Sequence, residues 1–210
     1  MKPPVQPLDL SKLKVFPLAQ RLSLTKAEDI LINPDTTPPP CPPTVAESVR
    51  ECARNIRAAR ERDASVMLVY GAHLLRNGAA LILERMMAHG WLTHLATNGA
   101  GTIHDWEYAW FGASTESVEM NVASGTFGTW DETATNIHLA LMAGALDGLG
   151  YGRALGRFII EGGATLPSSK ELSRAIATEP AHPLTAARAD LLRSMRERGL
   201  AAGWLKVEHR

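Results

Sequence analysis

An apolar run, Trp91 to Ala96, passes directly into Thr97-Asn98-Gly99-Ala100-Gly101-Thr102-Ile103-His104-Asp105-Trp106-Glu107. No other stretch constrains the fold as much. A short buried strand, a turn of small residues and then a polar helix start are how an α/β protein presents backbone N–H groups to a phosphate or ribose. The spacing is not the dinucleotide fingerprint G-x-G-x-x-G, so periodicity alone gives a ligand loop or a plain tight connection.

The residues before this stretch extend the pattern. Ser65 to Tyr70 reads as a buried strand closed by Gly71. Asn77 to His89 reads as a helix too apolar to be exposed, and Gly90 closes it. Strand, helix and strand make a βαβ unit, and uninterrupted apolar strands predict a parallel sheet buried on both faces. In such a sheet, ligands bind beyond the carboxyl ends of the strands. Gly71-Ala72-His73 and Thr97 to Gly101 follow adjacent strands, so they are expected to line one crevice, with His73, His104, Asp105 and Glu107 around it.

Upstream, residues 34–43 hold six of the thirteen prolines. No helix or central strand crosses such a segment. Residues 1–43 are therefore read as an N-terminal arm and Pro-rich linker, and residues 44–210 as the α/β domain. Thr44 with Glu47 forms a capping-box pattern, followed by Val45, Val49, Cys52, Ile56 and Ala59 at helical spacing. Cys52 is expected to be a buried free thiol. Further capping-box patterns, Thr129 with Glu132 and Ser168 with Glu171, open helices that run to Gly148 and to about Ile176. Residues 184–198 read as a helix closed by Gly199, and Trp204 to Val207 as the start of a strand. A doubly wound sheet needs four to six strands, so the α/β domain reads as incomplete at the C-terminus or as completed by another chain.

Charge narrows the function. Lys plus Arg equals Asp plus Glu at 22 each, so no basic field draws in nucleic acid. No apolar run has the length of a membrane span and the start lacks an apolar leader, which predicts a cytoplasmic protein. No metal site is expected, because His104, Asp105 and Glu107 have no Cys or second His at ligand spacing. His94 reads as a core or edge histidine and His89 as a helix C-terminal one. Gly148-Leu149-Gly150-Tyr151-Gly152 follows a helix and reads as a stop and turn. Trp106, Tyr108, Trp110 and Phe111 read as core packing.

Gly71-Ala72-His73-Leu74-Leu75-Arg76-Asn77-Gly78, Thr93 to Gly101 and His104-Asp105-Trp106-Glu107 together resemble the deoxyhypusine synthase family, and its bacterial deoxyhypusine synthase-like branch most. Phe127 to Thr133 resembles that branch too, and Lys14 to Leu18 with Arg21 fits more loosely. The resemblance implies a Rossmann-like NAD-binding domain in a homotetramer, with active sites at dimer interfaces. It implies an NAD-dependent transfer of the aminobutyl group of spermidine, through an enzyme imine, to a protein lysine or small amine acceptor. By motif position, Ala72, His73, Leu74, Leu75 and Arg76 would contact NAD, as would Asn98, Gly99 and Ala100. Asp105 matches an acidic position of the family motif. His104 stands where eukaryotic members have a glutamate that holds the cofactor ribose. The family's polyamine-binding acids and its catalytic lysine, in a Trp-Gly-Lys context, belong to a C-terminal half that this chain does not reach. Trp204-Leu205-Lys206 lacks the glycine. Three readings follow: an aminobutyltransferase lineage represented by its N-terminal portion, a non-catalytic nucleotide-binding or assembly module, and an unrelated α/β domain whose Gly loop is a turn.

Overall fold

The computed structural model describes Asp9 and residues 12–207 and divides them into two units. One is Ser23–Thr115. The other joins the described residues up to Leu22 with those from Glu116 onward. The described residues of the expected 1–43 arm are thus shared between the two.

The Ser23–Thr115 unit runs β1 (Thr25–Lys26), α1 (Ala27–Ile30), α2 (Pro43–Glu61), β2 (Met67–Tyr70), α3 (Ala72–Arg76), α4 (Ala80–Ala88), β3 (His94–Thr97), α5 (Gly99–Phe111) and β4 (Ala113–Ser114). β2 and β3 are parallel, in register from Met67 opposite His94 to Tyr70 opposite Thr97. Leu75, Leu83 and Leu92 are buried beneath them, with Val66, Leu68, Tyr70, Leu74 and Met86 packed against this cluster. This βαβ unit follows from two short apolar runs that bury one surface against the crossover helices.

The expectation of helices on both sheet faces is corrected. Side chains alternate across a strand, and only the even-numbered side of β2 is covered. Met67 is 60 % and Val69 73 % exposed. α2 does not fill the gap, since none of its residues is buried, and Cys52 is exposed rather than buried. The Thr44–Glu47 box does not form either. The helix starts two residues earlier than that box implies, with Pro42 as its cap and Pro43 at its first position, where a missing N–H costs nothing. Glu47 pairs instead with Arg50 and Arg54. The proline segment is tied down at Asp35, whose carboxylate accepts both forks of Arg85.

In the second unit a 3-10 turn at Leu18–Gln20 is followed by α6 (Val118–Ser124), α7 (Asp131–Leu146), α8 (Tyr151–Glu161), β5 (Gly163–Leu166), α9 (Ser169–Thr178), α10 (Thr185–Arg198) and β6 (Gly203–Lys206). β5 and β6 pair antiparallel. The helices bury Ile137, Ala140, Leu155, Phe158, Leu172, Leu191 and Met195. Gly144 lets α7 lie directly on α8, because a methyl group there would overlap Ala154 Cβ. The Ser168–Glu171 capping box forms in full. The Thr129–Glu132 box does not: the Glu132 carboxylate accepts the Leu18 N–H at 2.6 Å. Phe16 joins the same junction, donating its N–H to the Thr129 carbonyl and accepting from the Asp131 N–H. Arg21 lies over the Trp130 ring, 5.8 Å from its centroid. The chain is a mixed α/β protein, with three two-stranded sheets among the described residues. No helix among those residues is long and apolar enough to cross a membrane.

Candidate functional site: the crevice beyond β2 and β3

β2 and β3 end side by side, Tyr70 opposite Thr97. Each then turns into a helix through a small residue. The Asn98 side-chain amide lies 3.9 Å from where a Cβ on Gly71 would stand. The two Gly-containing loops therefore share one mouth, as their strand connectivity required.

The loop expected after β2 is itself helical. α3 turns Leu75 into the core, where it is 6 % exposed, and packs Leu74 against the same cluster. Its other side leaves His73 and Arg76 open and Ala72 half-buried. Across the mouth, Asn98 caps α5 by accepting the Gly101 N–H on its side-chain oxygen at 3.1 Å. Gly99 and Ala100 begin that helix, so their N–H groups have no helical carbonyl to bind.

The two glycines of α5 serve different ends. A methyl group at Gly101 would overlap Thr97 Oγ1 and stand 3.3 Å from Thr97 Cβ, so Gly101 is the contact that lets the helix press onto β3. At Gly99 a Cβ meets nothing within 4 Å, and the backbone there needs no positive φ. Neither packing nor conformation calls for glycine at 99. A side chain there would meet open space at the start of the helix.

His104 and Asp105 leave α5 in different directions. His104 Nδ1 lies 2.6 Å from Ser114 Oγ, and the Ser114 hydroxyl donates to the Glu107 carboxylate at 2.5 Å. With that donation made, Ser114 accepts from His104 Nδ1–H, which fixes the tautomer. Ser114 and Glu107 are 0 % and 1 % exposed and His104 is half-buried, so this Ser–His–Glu cluster braces α5 on β4. Tyr108 extends it through Thr25, whose hydroxyl also meets Thr115. Thr115 takes a left-handed φ of 64° at this junction. Asp105 lies one turn beyond Gly101 on α5. The protein around its carboxyl displaces enough water to push its pKa above the ordinary carboxylate range. The residue as a whole is exposed. Burial, and then the charge of Asp105, push the Tyr70 phenol up. Tyr70 stands opposite Thr97 across the strand pair.

Tyr70 belongs to this mouth beside the expected Thr97 and is not among the residues the sequence singled out. Its position as the last residue of β2, opposite Thr97, is the feature that marks it. Trp106 and Trp110 stack at 4.9 Å and are buried, as expected of core packing. His94 is exposed at the strand start and touches Thr93. His89 bonds the Arg85 carbonyl at the end of α4. Among the described residues, no group of three or more His, Cys, Asp or Glu side chains is arranged to hold a metal. Open grooves run along α2, past Ser48, Cys52 and Ile56, and beside α4, away from the mouth. Comparison with family models, curated proteins and solved structures finds no match to this chain.

Proposed function

We propose that the chain is a nucleotide-binding module of deoxyhypusine synthase-like lineage, and that its ligand is a dinucleotide of the NAD type held in the mouth beyond β2 and β3. Gly99 carries this reading. It is a glycine without a structural reason, at the start of a 13-residue helix. Backbone N–H groups at such a start favour an anion, and a pyrophosphate reaches them only where no Cβ intervenes. Asn98, Gly99 and Ala100 would hold the phosphates. Ala72, His73 and Arg76 would line the opposite wall, with Arg76 supplying positive charge.

The aminobutyl transfer of the family is a further step, and we assign it to more protein than this chain. Imine formation requires a lysine of lowered pKa beside acids that hold a polyamine. Lys206 is an exposed residue of β6, and spermidine and an amine acceptor would need a pocket around such a lysine.

Isothermal titration of NAD into the wild-type chain and into Gly99→Val tests the binding reading. Saturable binding by the wild type, lost in the variant at unchanged melting temperature, is the expected result. Equal affinity in both, or no binding by the wild type, overturns it.

A further inference from the structure

α2 is a helix of 19 residues with no buried side chain. One apolar stripe runs along it: Val45, Val49, Cys52, Ile56 and Ala59, spaced four, three, four and three. That is a strict heptad seam, narrower than the stripe a helix turns to a globular core. Val45 and Val49 are 49 % and 62 % exposed, Cys52 is exposed, and Ile56 and Ala59 are half-buried. Two open grooves of about 410 and 370 Å³, sharing Ser48 and Cys52, follow the stripe from Thr44 to Val66. The last turn of α2 is tied to its unit, where the Arg60 guanidinium donates to the Gly90 and Ala64 carbonyls. Helices in proteins draw most of their stability from packing an apolar face, and this one leaves its face open.

The stripe specifies its own cover. A heptad seam takes another helix. Cys52 is its midpoint, seven residues from both Val45 and Ala59, so the pattern of spacings repeats itself about a two-fold axis through Cys52. Charge sets the direction. Before Cys52 the helix carries Glu47, Arg50 and Glu51, a net −1; after it come Arg54, Arg57, Arg60 and Glu61, a net +2. An antiparallel pair sets each acidic half level with its partner's basic half and opposes the helix dipoles, whereas a parallel pair stacks like on like. Ala46, Ser48, Ala53 and Asn55 flank the seam and are small enough for close approach.

We propose that α2 is a self-association surface on which two copies of this chain pair antiparallel, with Cys52 against the partner's Cys52 on the two-fold axis. Val45 then fills the groove over the partner's Ala59, and Val49 sits between the partner's Cys52 and the partner's Ile56. Helices about 10 Å apart, with Cα atoms about 2.3 Å from each axis, leave roughly 5 Å between the two Cys52 Cα atoms, a span that a disulfide bridges. The seam is about 22 Å long at 1.5 Å per residue. That is small for a specific interface, so the dimer is weak, with a Kd of about 10–100 μM. The grooves lie away from the mouth, so pairing and nucleotide binding are tested separately.

Sedimentation velocity of the full chain from about 5 to about 500 μM, a range bracketing that Kd, tests the surface. The wild type is expected to pass from monomer to dimer. Val49→Glu and Val45→Glu are expected to stay monomeric throughout and, both sites being exposed, to melt with the wild type at the lowest concentration. Thiol crosslinking tests the register. With Cys41→Ser removing the other thiol, diamide is expected to link the dimer through Cys52: two thiols form one S–S bond and diamide takes up their two hydrogens. With Cys41→Ser and Cys52→Ser, Val45→Cys together with Ala59→Cys should crosslink, and Val45→Cys alone should not. A wild type that stays monomeric, a dimer unaffected by both glutamate variants, a dimer that diamide does not link through Cys52, or crosslinking by Val45→Cys alone overturns the proposal.

Discussion

Replacing Gly101 by alanine should destabilise the Ser23–Thr115 unit, against the intrinsic preference of helices. In an open helix the change stabilises by roughly 0.5–1 kcal/mol. Here the new methyl overlaps Thr97 Oγ1 and stands 3.3 Å from Thr97 Cβ and 3.4 Å from Cγ2. Rotating Thr97 away leaves a branched side chain off its rotamer, about 0.5–1.5 kcal/mol. Lifting α5 off β3 instead costs about 1–3 kcal/mol, as overpacking does. Either route offsets the helix gain, for a net loss of up to about 2 kcal/mol. Urea unfolding followed by tryptophan fluorescence reads it, because Trp106 and Trp110 lie on the same helix. Thr97→Ala removes Oγ1 and Cγ2, so Gly101→Ala should cost little in that background, and the double-mutant cycle should show a coupling of about 1 kcal/mol or more. If Gly101→Ala is neutral or stabilising with Thr97 present, the helix–strand contact is not what fixes glycine at 101.

Three other outcomes follow from the geometry. Gly144→Ala should cost about 1–3 kcal/mol, since its methyl overlaps Ala154 Cβ and stands 3.0 Å from Ala154 Cα, and Ala154→Gly should recover part of that in a thermal melt. Ser114→Ala removes a donor from the buried Glu107 carboxylate and should cost about 1.5–3 kcal/mol, measured by denaturant unfolding; no loss would mean that the hydroxyl does not brace α5. Asp131 is held below the ordinary carboxylate range, first by its hydrogen bond from Arg198. Its folded pKa is depressed, so the stabilisation is present above the unfolded carboxyl value near 3.9 and is lost as pH falls through the folded value. Both side chains are more than a third exposed, which limits the effect to about 0.2–1 kcal/mol. Arg198→Ala should raise the Asp131 carboxyl titration seen by NMR and lower stability at neutral pH but not in strong acid.

The βαβ unit was legible because its elements are apolar runs punctuated by Gly71 and Gly90, and such punctuation survives in any context. The open face was not. Met67-Leu68-Val69-Tyr70 is apolar at every position, and an unbroken apolar strand carries no mark of which side lacks a cover. The three Ser/Thr-x-x-Glu patterns show the same limit at helix starts. Ser168–Glu171 is satisfied locally and forms. Thr44–Glu47 is displaced by the helix-starting geometry of Pro43. Glu132 is drawn to the Leu18 N–H, 114 residues away in sequence, a partner that no local rule contains. β5 was missed because Gly163-Ala164-Thr165-Leu166 is short and small, and pairs only with β6, 40 residues later. At the mouth, the loops and their Gly content were readable from strand ends. The separate duties of Gly99 and Gly101 emerge only when the space around each is known, and so does the engagement of His104 by Ser114.

The central claim is that the mouth beyond β2 and β3 binds a dinucleotide through the start of α5. An amide NMR titration of the isotope-labelled chain with NAD tests it most directly. The account predicts saturable shifts of the Gly71, Ala72, Asn98, Gly99 and Ala100 amides, with those of α2 and of β6 unmoved. Unperturbed amides at the mouth under saturating NAD, or shifts centred elsewhere, would contradict it.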